Sequence, residues 1–464
     1  MPGPDSQSPP NGERTCLDAE IAIIGGGFSG AALAINLARH QGPSAVLLHA
    51  RENAGYGLAY STTDSVHLLN VRAATMSALA DDPEHFARWL DAAGLGSRES
   101  FVPRQLYGRY VAALLAETSA AGPQRLITKQ AEVVGLNRKA DKFEICLSSG
   151  QIARAGKVVL AMGNLPPAGI SGLEGISEND DLYIADPWKT DLTDGLPSDG
   201  HVLLLGTGLT AVDVALLLTE AGFKGRITAL SRRGLLPRSH VPGGAPPLLA
   251  EPPQPKVREI ARHLREQSKR IGWRHAVDQL RPHTQQLWQR MDQSERRRFL
   301  RHARPWWEVH RHRTAPAVAD QIAALQAGGK LCLERGRIVS SEASADGVTV
   351  KVRGADATVR TLEIDRVVNC TGPSANLQTA QDPLLISLRE QGLARVDALG
   401  LGLETDHVSR VINADGQPTP DLFAVGPLTR GSFWEITAVP DIRRQVWFLA
   451  RQLARAHWVG GEGL

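Results

Sequence analysis

Glu20-Ile-Ala-Ile-Ile-Gly-Gly-Gly-Phe-Ser-Gly30 is a β-branched run that stops at glycine, and the small, apolar segment Ala31–His40 follows at once. The pattern reads as strand, tight turn and helix, with order beginning at Glu20. Gly25, Gly27 and Gly30 form GxGxxG. The first glycine permits the sharp turn, the second lets a backbone approach a pyrophosphate, and the third lets the helix pack close to the strand. The helix start adds free N–H groups and positive partial charge, so Gly25-Gly26-Gly27-Phe28-Ser29-Gly30 is read as a nucleotide cradle. Ala45-Val-Leu-Leu-His49 reads as the second parallel strand of a βαβ unit, ending 19 residues beyond Gly30. The acid that usually closes this strand is replaced by His49, leaving His49 or the nearby Glu52 to meet a ribose.

The same unit occurs again. His201-Val-Leu-Leu-Leu205 leads into Gly206-Thr207-Gly208-Leu209-Thr210, a helical stretch Ala211–Ala221, and the strand Arg226–Ser231. Each copy is followed, after alternating strands such as Lys142–Leu147 and Gly347–Val352, by a similar exit: Lys157–Gly163 in the first and Arg366–Gly372 in the second. The expected class is α/β, with two Rossmann-like dinucleotide-binding domains. Ser231-Arg232-Arg233-Gly234 stands where an acid would receive a ribose 2′-hydroxyl. Paired guanidinium groups suit a 2′-phosphate, which favours NADPH over NADH.

The 464 residues carry 52 basic and 49 acidic side chains, a formal charge of +3, and this supplies no general case for nucleic acid or an anionic membrane. Cys16, Cys146, Cys332 and Cys370 are widely spaced, so neither a zinc site nor a redox-active pair is written, and a reducing cytoplasm is expected. No run approaches a spanning helix, and residues 1–18 read as a flexible tail. Between 242 and 329 the chain turns Pro-rich and then helix-forming and basic: Lys256–Arg313 holds sixteen Lys or Arg against six acids. That block is read as a helical insertion in the second domain. His310 and His312 in Trp306–Arg313 are spaced i and i+2, which on a helix points them to different sides, so no metal is assigned.

Several segments give the chain a specific likeness: Gly57–Tyr60, His67-Leu-Leu-Asn70, Asp186-Pro-Trp188, Gly206–Asp213, Ser231–His240 and Gly426–Arg443. Over residues 20–445 the chain resembles the YdhS-like FAD-NAD(P)-binding proteins, distant relatives of the N-hydroxylating and other class B flavin monooxygenases. The resemblance implies FAD in a domain of residues 19–185 and 373–464, and NADPH in one of residues 186–372. It implies that Gly25–Gly30 hold the FAD pyrophosphate, with Gly163 and Gly426 at strand exits beside it. Asn70 is implied on a loop approaching the flavin, and Asp421 near the ribityl chain. Trp434 and Glu435 become active-site candidates, Glu435 orienting an amine or relaying a proton. The FxGxxxHxxxW signature of Baeyer–Villiger monooxygenases is absent, which disfavours ketone oxygenation.

The reading is a flavoprotein reduced by NADPH, with O2 and a small amine or amino acid as substrates and N-hydroxylation as outcome. A dehydrogenase serving a quinone or protein acceptor, and a non-catalytic flavin-binding sensor or assembly protein, remain as alternatives. Neither nucleic acid nor membrane is expected as partner, and the reading leaves room for a homo-oligomer.

Overall fold

The computed structural model describes residues 17–176, 181–241, 248–249, 251–344, 347–374 and 376–455. The tail through residue 16 and the Pro-rich opening of the insertion, 242–247, lie outside the described residues. The first unit contains β1 (Leu17–Ile24), β2 (Ala45–His49), β3 (Leu126–Gln130), β4 (Val133–Lys139), β5 (Lys142–Leu147) and β6 (Ile152–Leu160). The second contains β7 (Tyr183–Ile184), β8 (His201–Leu205), β9 (Arg226–Ser231), β10 (Leu331–Ser344), β11 (Gly347–Gly354), β12 (Val359–Ile364) and β13 (Arg366–Asn369). The chain then returns to the first sheet through β14 (Arg410–Ile412) and β15 (Pro418–Ala424). The sheet orders are β14-β15-β6-β1-β2-β3, with β5 and β4 extending from β6, and β12-β11-β10-β9-β8-β13-β7.

Side-chain alternation explains why both sheets are covered on two faces. Ile21 and Ile23 enter one core with α1 (Phe28–Arg39) and α2 (Arg104–Ala121), whereas Ala22 and Ile24 enter the core on the other face, over the β4–β5 hairpin. In the second unit Val202 and Leu204 pack beneath α3 (Leu209–Glu220), while Leu203 and Leu205 face Val348, Val350 and Val352 of β11. Such near-continuous apolar strands are what a doubly covered parallel sheet requires.

Three sequence-based boundaries move. β1 begins at Leu17, because Leu17–Ala19 pair with Ala153–Ala155 of β6 although their alternation is only partly apolar. Tyr183 and Ile184, assigned by sequence to the first domain, pair with Val367 and Val368 in the second sheet. A two-residue strand has no period to read. In the same region Leu173 and Ile176 lie in the second unit's core. The helical block also ends early: α4 (Val257–Ile271) through α5 (Arg304–Arg311) form it, but α6 (Pro316–Ala327) is the crossover between β9 and β10. Its Val318 and Ile322 share a core with α3, so it belongs to the doubly wound unit.

The two units are fastened by side chains from the segment after β2. Arg104 at the start of α2 lies 2.8 Å from Asp213 in α3, and both side chains are largely buried. His67 Nε2 donates to the Asp213 carbonyl across 3.3 Å and packs edge-on against Trp188. Removing one partner of a buried ion pair costs about 3–5 kcal/mol, because the other charge stays desolvated. Asp213→Ala is therefore expected to lower the melting temperature by several degrees. Glu259→Ala, which breaks an exposed pair with Arg262, should stay within about 0.5 kcal/mol in the same unfolding measurement.

Candidate dinucleotide sites

The two glycine turns are built alike. Gly25 and Gly206 share φ = +117°, which side-chain-bearing residues rarely adopt. A Cβ on Gly25 would sit 2.3 Å from the Ala161 carbonyl oxygen, and one on Gly206 would sit 2.4 Å from that of Cys370. Gly27 and Gly208 are both extended N-caps without a side-chain hydrogen bond, so the first N–H groups of α1 and α3 face outward unclaimed by a capping side chain. A Cβ on Gly30 would meet the Gly25 carbonyl oxygen at 1.9 Å, so helix and turn are in backbone contact. Space remains where a ligand backbone would come: nothing lies within 4 Å of a Cβ on Gly208, Gly163 or Gly372. These cradles fit pyrophosphate groups.

The structure gathers several expected residues at the first cradle. Gly426, at φ = +73°, lies so close that a Cβ there would be 2.3 Å from Ser29 Oγ. Its N–H donates to Gln445 Oε1 of α7 (Val439–Leu453). Phe28 is buried and packs against Tyr107. His49 closes β2 directly against Gly26, where a Cβ would be 2.4 Å from His49 Cβ, and its Nδ1 lies 2.7 Å from the Arg51 carbonyl. Gly57 faces Gly27: at φ = +55° a Cβ on Gly57 would be 2.9 Å from Gly27 Cα, whereas one on Gly27 would make an ordinary 3.5 Å contact with Gly57 Cα.

Asp421 is elsewhere. β15 runs parallel to β6 with Leu422 beside Val158, which in turn lies beside Ala22. Asp421 is thus level with Ile21, about 13 Å of strand before Gly25. It adopts φ = +60° and pairs with Lys157 Nζ at 2.6 Å. It does not approach the cradle, contrary to the expected ribityl contact; what does approach is Gly426, two residues beyond the end of this strand.

At the second cradle Thr207 and Ser231 spend their hydroxyls on the loop. Thr207 Oγ1 donates to the Leu235 carbonyl at 2.6 Å, Ser231 Oγ lies 2.9 Å from Thr207 Oγ1, and the Gly234 N–H donates to Ser231 Oγ. Thr207 has one proton, so Ser231 donates to it. Arg232 and Arg233 are carried on this braced turn, while Leu209 and Thr210 open α3. Arg335 and Arg337 of β10 line the same cavity as the arginine pair. Their i, i+2 spacing on a strand was the available signal for them.

Asn70 lies on the loop before α2, where its carbonyl accepts a hydrogen bond from His240 Nε2 at 3.0 Å, joining the two units. A carbonyl can only accept, so His240 carries its proton on Nε2 and Nδ1 is the basic atom. Burial, with help from Arg313 and Arg72, holds His240 down at about 4 against the Asn70 bond and Asp278.

Trp434 and Glu435 form a joint with the helical block. Trp434 stacks on Trp288 at 4.8 Å, Arg430 lies 4.6 Å from its ring centre, and its buried Nε1 has no hydrogen-bond partner among the described residues. Glu435 is 4% exposed and sits at φ = +70°. It accepts from Trp307 Nε1 at 2.7 Å, and Arg311 Nε lies 3.1 Å from Oε2 as an ion pair without hydrogen-bond alignment. Burial alone would raise the Glu435 carboxyl, but His312, Arg311, the Trp307 indole and Arg281 hold it below its usual range. Its geometry is that of a fastening. His310 turns instead to Trp273 and the Trp306 carbonyl, so the two histidines diverge.

A family model described as FAD-NAD(P)-binding matches residues 22–165. No curated protein sequence matches the chain. Among solved structures, ornithine N-hydroxylase of Kutzneria sp. 744 is similar with a TM-score of 0.64 at 14% identity, over 94% of this chain and 99% of that one. L-lysine 6-monooxygenase of Pseudomonas syringae is similar with a TM-score of 0.64 at 17% identity, again over 94% and 99%. Bacillithiol disulfide reductase of Staphylococcus aureus gives 0.58 at 14% identity, over 95% and 100%. At these identities the likeness is one of fold. Fold, twin cradles and the matched model together define a two-unit dinucleotide-binding protein with an FAD-NAD(P)-binding domain. No helix among the described residues is long and apolar enough to cross a membrane.

Two outcomes follow from the geometry. Gly206→Ala should lose roughly 1–3 kcal/mol in unfolding, whereas Gly208→Ala should keep its melting temperature and lose nicotinamide-dinucleotide affinity in a binding titration. For His240, the unfolded ring binds its proton near 6.5 and the folded ring only at about 4, so the unfolded state holds more protons between these values. Stability falls as pH drops through that window. His240→Gln should therefore lose less melting temperature than wild type between about pH 6.5 and 4.

Proposed function

We propose that the protein is an FAD- and NADPH-dependent monooxygenase that hydroxylates the nitrogen of a small amine or amino acid. The balance is R–NH2 + O2 + NADPH + H+ giving R–NHOH + NADP+ + H2O. FAD, when bound, supplies hydride acceptance and oxygen activation. In this reading Gly25–Gly30, His49 and Gly426 hold the flavin dinucleotide, and Gly206–Thr210 with Arg232 and Arg233 hold NADPH. Asn70 and His240 tie the loops on which the two must be aligned, and His240 Nδ1 offers a place for a proton.

The observation that carries the oxygenase over a reductase is the bridge made by the helical block. It engages the first unit through Trp288 Nε1 to the Gly431 carbonyl, Arg281 to Asp441 and Arg311 to Glu435. It engages the second through Arg274 to the Ser239 carbonyl and the Arg238–Val309 backbone bond. A tryptophan-rich bridge across the two units favours exclusion of water, which oxygen transfer to an amine needs and electron transfer to a diffusing acceptor does not. The described cysteines give no dithiol for a disulfide reductase: Cys146 lies on β5 of the first sheet, Cys332 on β10 and Cys370 just after β13, with β9 and β8 between those two strands, and the buried Cys370 thiol is pushed well up by its burial.

The test is to follow NADPH consumption by the FAD-loaded protein against a panel of ω-amino acids and diamines, assaying hydroxylamine and hydrogen peroxide. Hydroxylamine formed in near-equal amount to NADPH consumed supports the proposal. Quinone-dependent turnover, with peroxide alone in its absence, would establish the dehydrogenase instead.

A further inference from the structure

Beyond Ser231 lies a cavity of about 570 Å³. Two of its lining arginines, Arg232 and Arg233, come from the turn after β9, and two more, Arg335 and Arg337, come from β10. The helical block supplies Arg301, His302 and Trp306. None of the described lining residues is a carboxylate. The volume suits a small ligand, and five guanidinium groups with no carboxylate among the described lining residues suit a phosphate.

Position says which part of the ligand belongs there. Across the second sheet the order is β8, β9, β10, with Arg335 registered against Ser231. A pyrophosphate at the start of α3 follows β8, the adenosine crosses the end of β9, and its ribose substituent arrives between the β9 turn and β10. The block reaches the same place: Arg233 donates to the Arg301 carbonyl at 3.4 Å. Trp306 is 48% exposed, unusual for so large an apolar ring, whereas its neighbour Trp307 is buried against Glu435. Adjacent residues on a helix point about 100° apart, so α5 offers one tryptophan to the cavity and the other to the joint.

We propose that the helical block forms half of the adenosine 2′-phosphate site. Arg301 and His302 share the phosphate with Arg232 and Arg233, and Trp306 stacks on the adenine. This rests on the NADPH reading above, and the arms of the experiment separate the two.

The full-length, FAD-loaded protein is titrated calorimetrically with 2′,5′-ADP, its isomer 3′,5′-ADP, and 5′-AMP. Wild type should prefer 2′,5′-ADP over both others. Arg301→Ala should weaken 2′,5′-ADP about tenfold while changing 5′-AMP less than about twofold, the loss of one charge-assisted contact. Trp306→Ala should weaken both 2′,5′-ADP and 5′-AMP about fivefold or more, and Trp306→Phe should restore most of that, as stacking requires. Visible absorbance of bound flavin should be unchanged throughout. Wild-type affinity in both Arg301→Ala and Trp306→Ala, with loss confined to Arg232→Ala, would overturn this proposal and leave NADPH use standing. Failure of wild type to prefer 2′,5′-ADP over 5′-AMP would overturn both.

Discussion

Everything in the molecule depends on two backbone contacts: a glycine at φ = +117° pressed against a carbonyl of the neighbouring strand's exit, Gly25 on Ala161 and Gly206 on Cys370. Because no Cβ intervenes, the helix that follows each turn starts directly above the end of its sheet. Its unclaimed N–H groups then sit where a pyrophosphate can be met by main chain alone. The same constraint is satisfied twice, with N-cap dihedrals of −76°/−173° at Gly27 and −83°/−166° at Gly208. Duplication of a sharp steric requirement, more than any shared side chain, makes the two units equivalent.

What differs between the units is how each cradle is bordered. The first is closed in by its own chain, through Gly57 against Gly27, Gly426 against Ser29 and His49 against Gly26. The second is bordered by charge, with the Ser231–Gly234 turn braced by Thr207 and a ring of arginines beyond it. The helical block ties the two together, since α5 carries Trp306 toward the charged cavity and Trp307 and Arg311 toward Glu435. A carboxylate as deeply buried as Glu435 persists as a charge only because Arg311, His312 and an indole N–H surround it. That requirement makes the joint demanding in geometry and fixes the block's placement on the first unit.

Much of this was legible in order along the chain. The strand–glycine–helix units, the arginine pair after β9 and the basic helical block are all local patterns, and local sterics or charge density reveal them. Long-range register is the opposite case. Local pattern places Asp421 at the ligand end of a strand, but strand register puts it at the far end beside Lys157. Tyr183–Ile184 carried too little pattern to be assigned to a sheet, and α6 was helical for a reason unrelated to the block that precedes it.

The sequence by itself determined the two cradles, because the need for glycine at a left-handed turn and the alternation of apolar residues in a covered sheet are properties of single segments. Only the tertiary structure decided that Glu435 is a fastening, that Arg104 meets Asp213 across 109 residues, and that Arg301 and Trp306 share a cavity with Arg232. Those outcomes depend on which distant segments are brought side by side. Long-range juxtaposition is set by the packing of whole sheets and helices, and no short stretch of sequence encodes it.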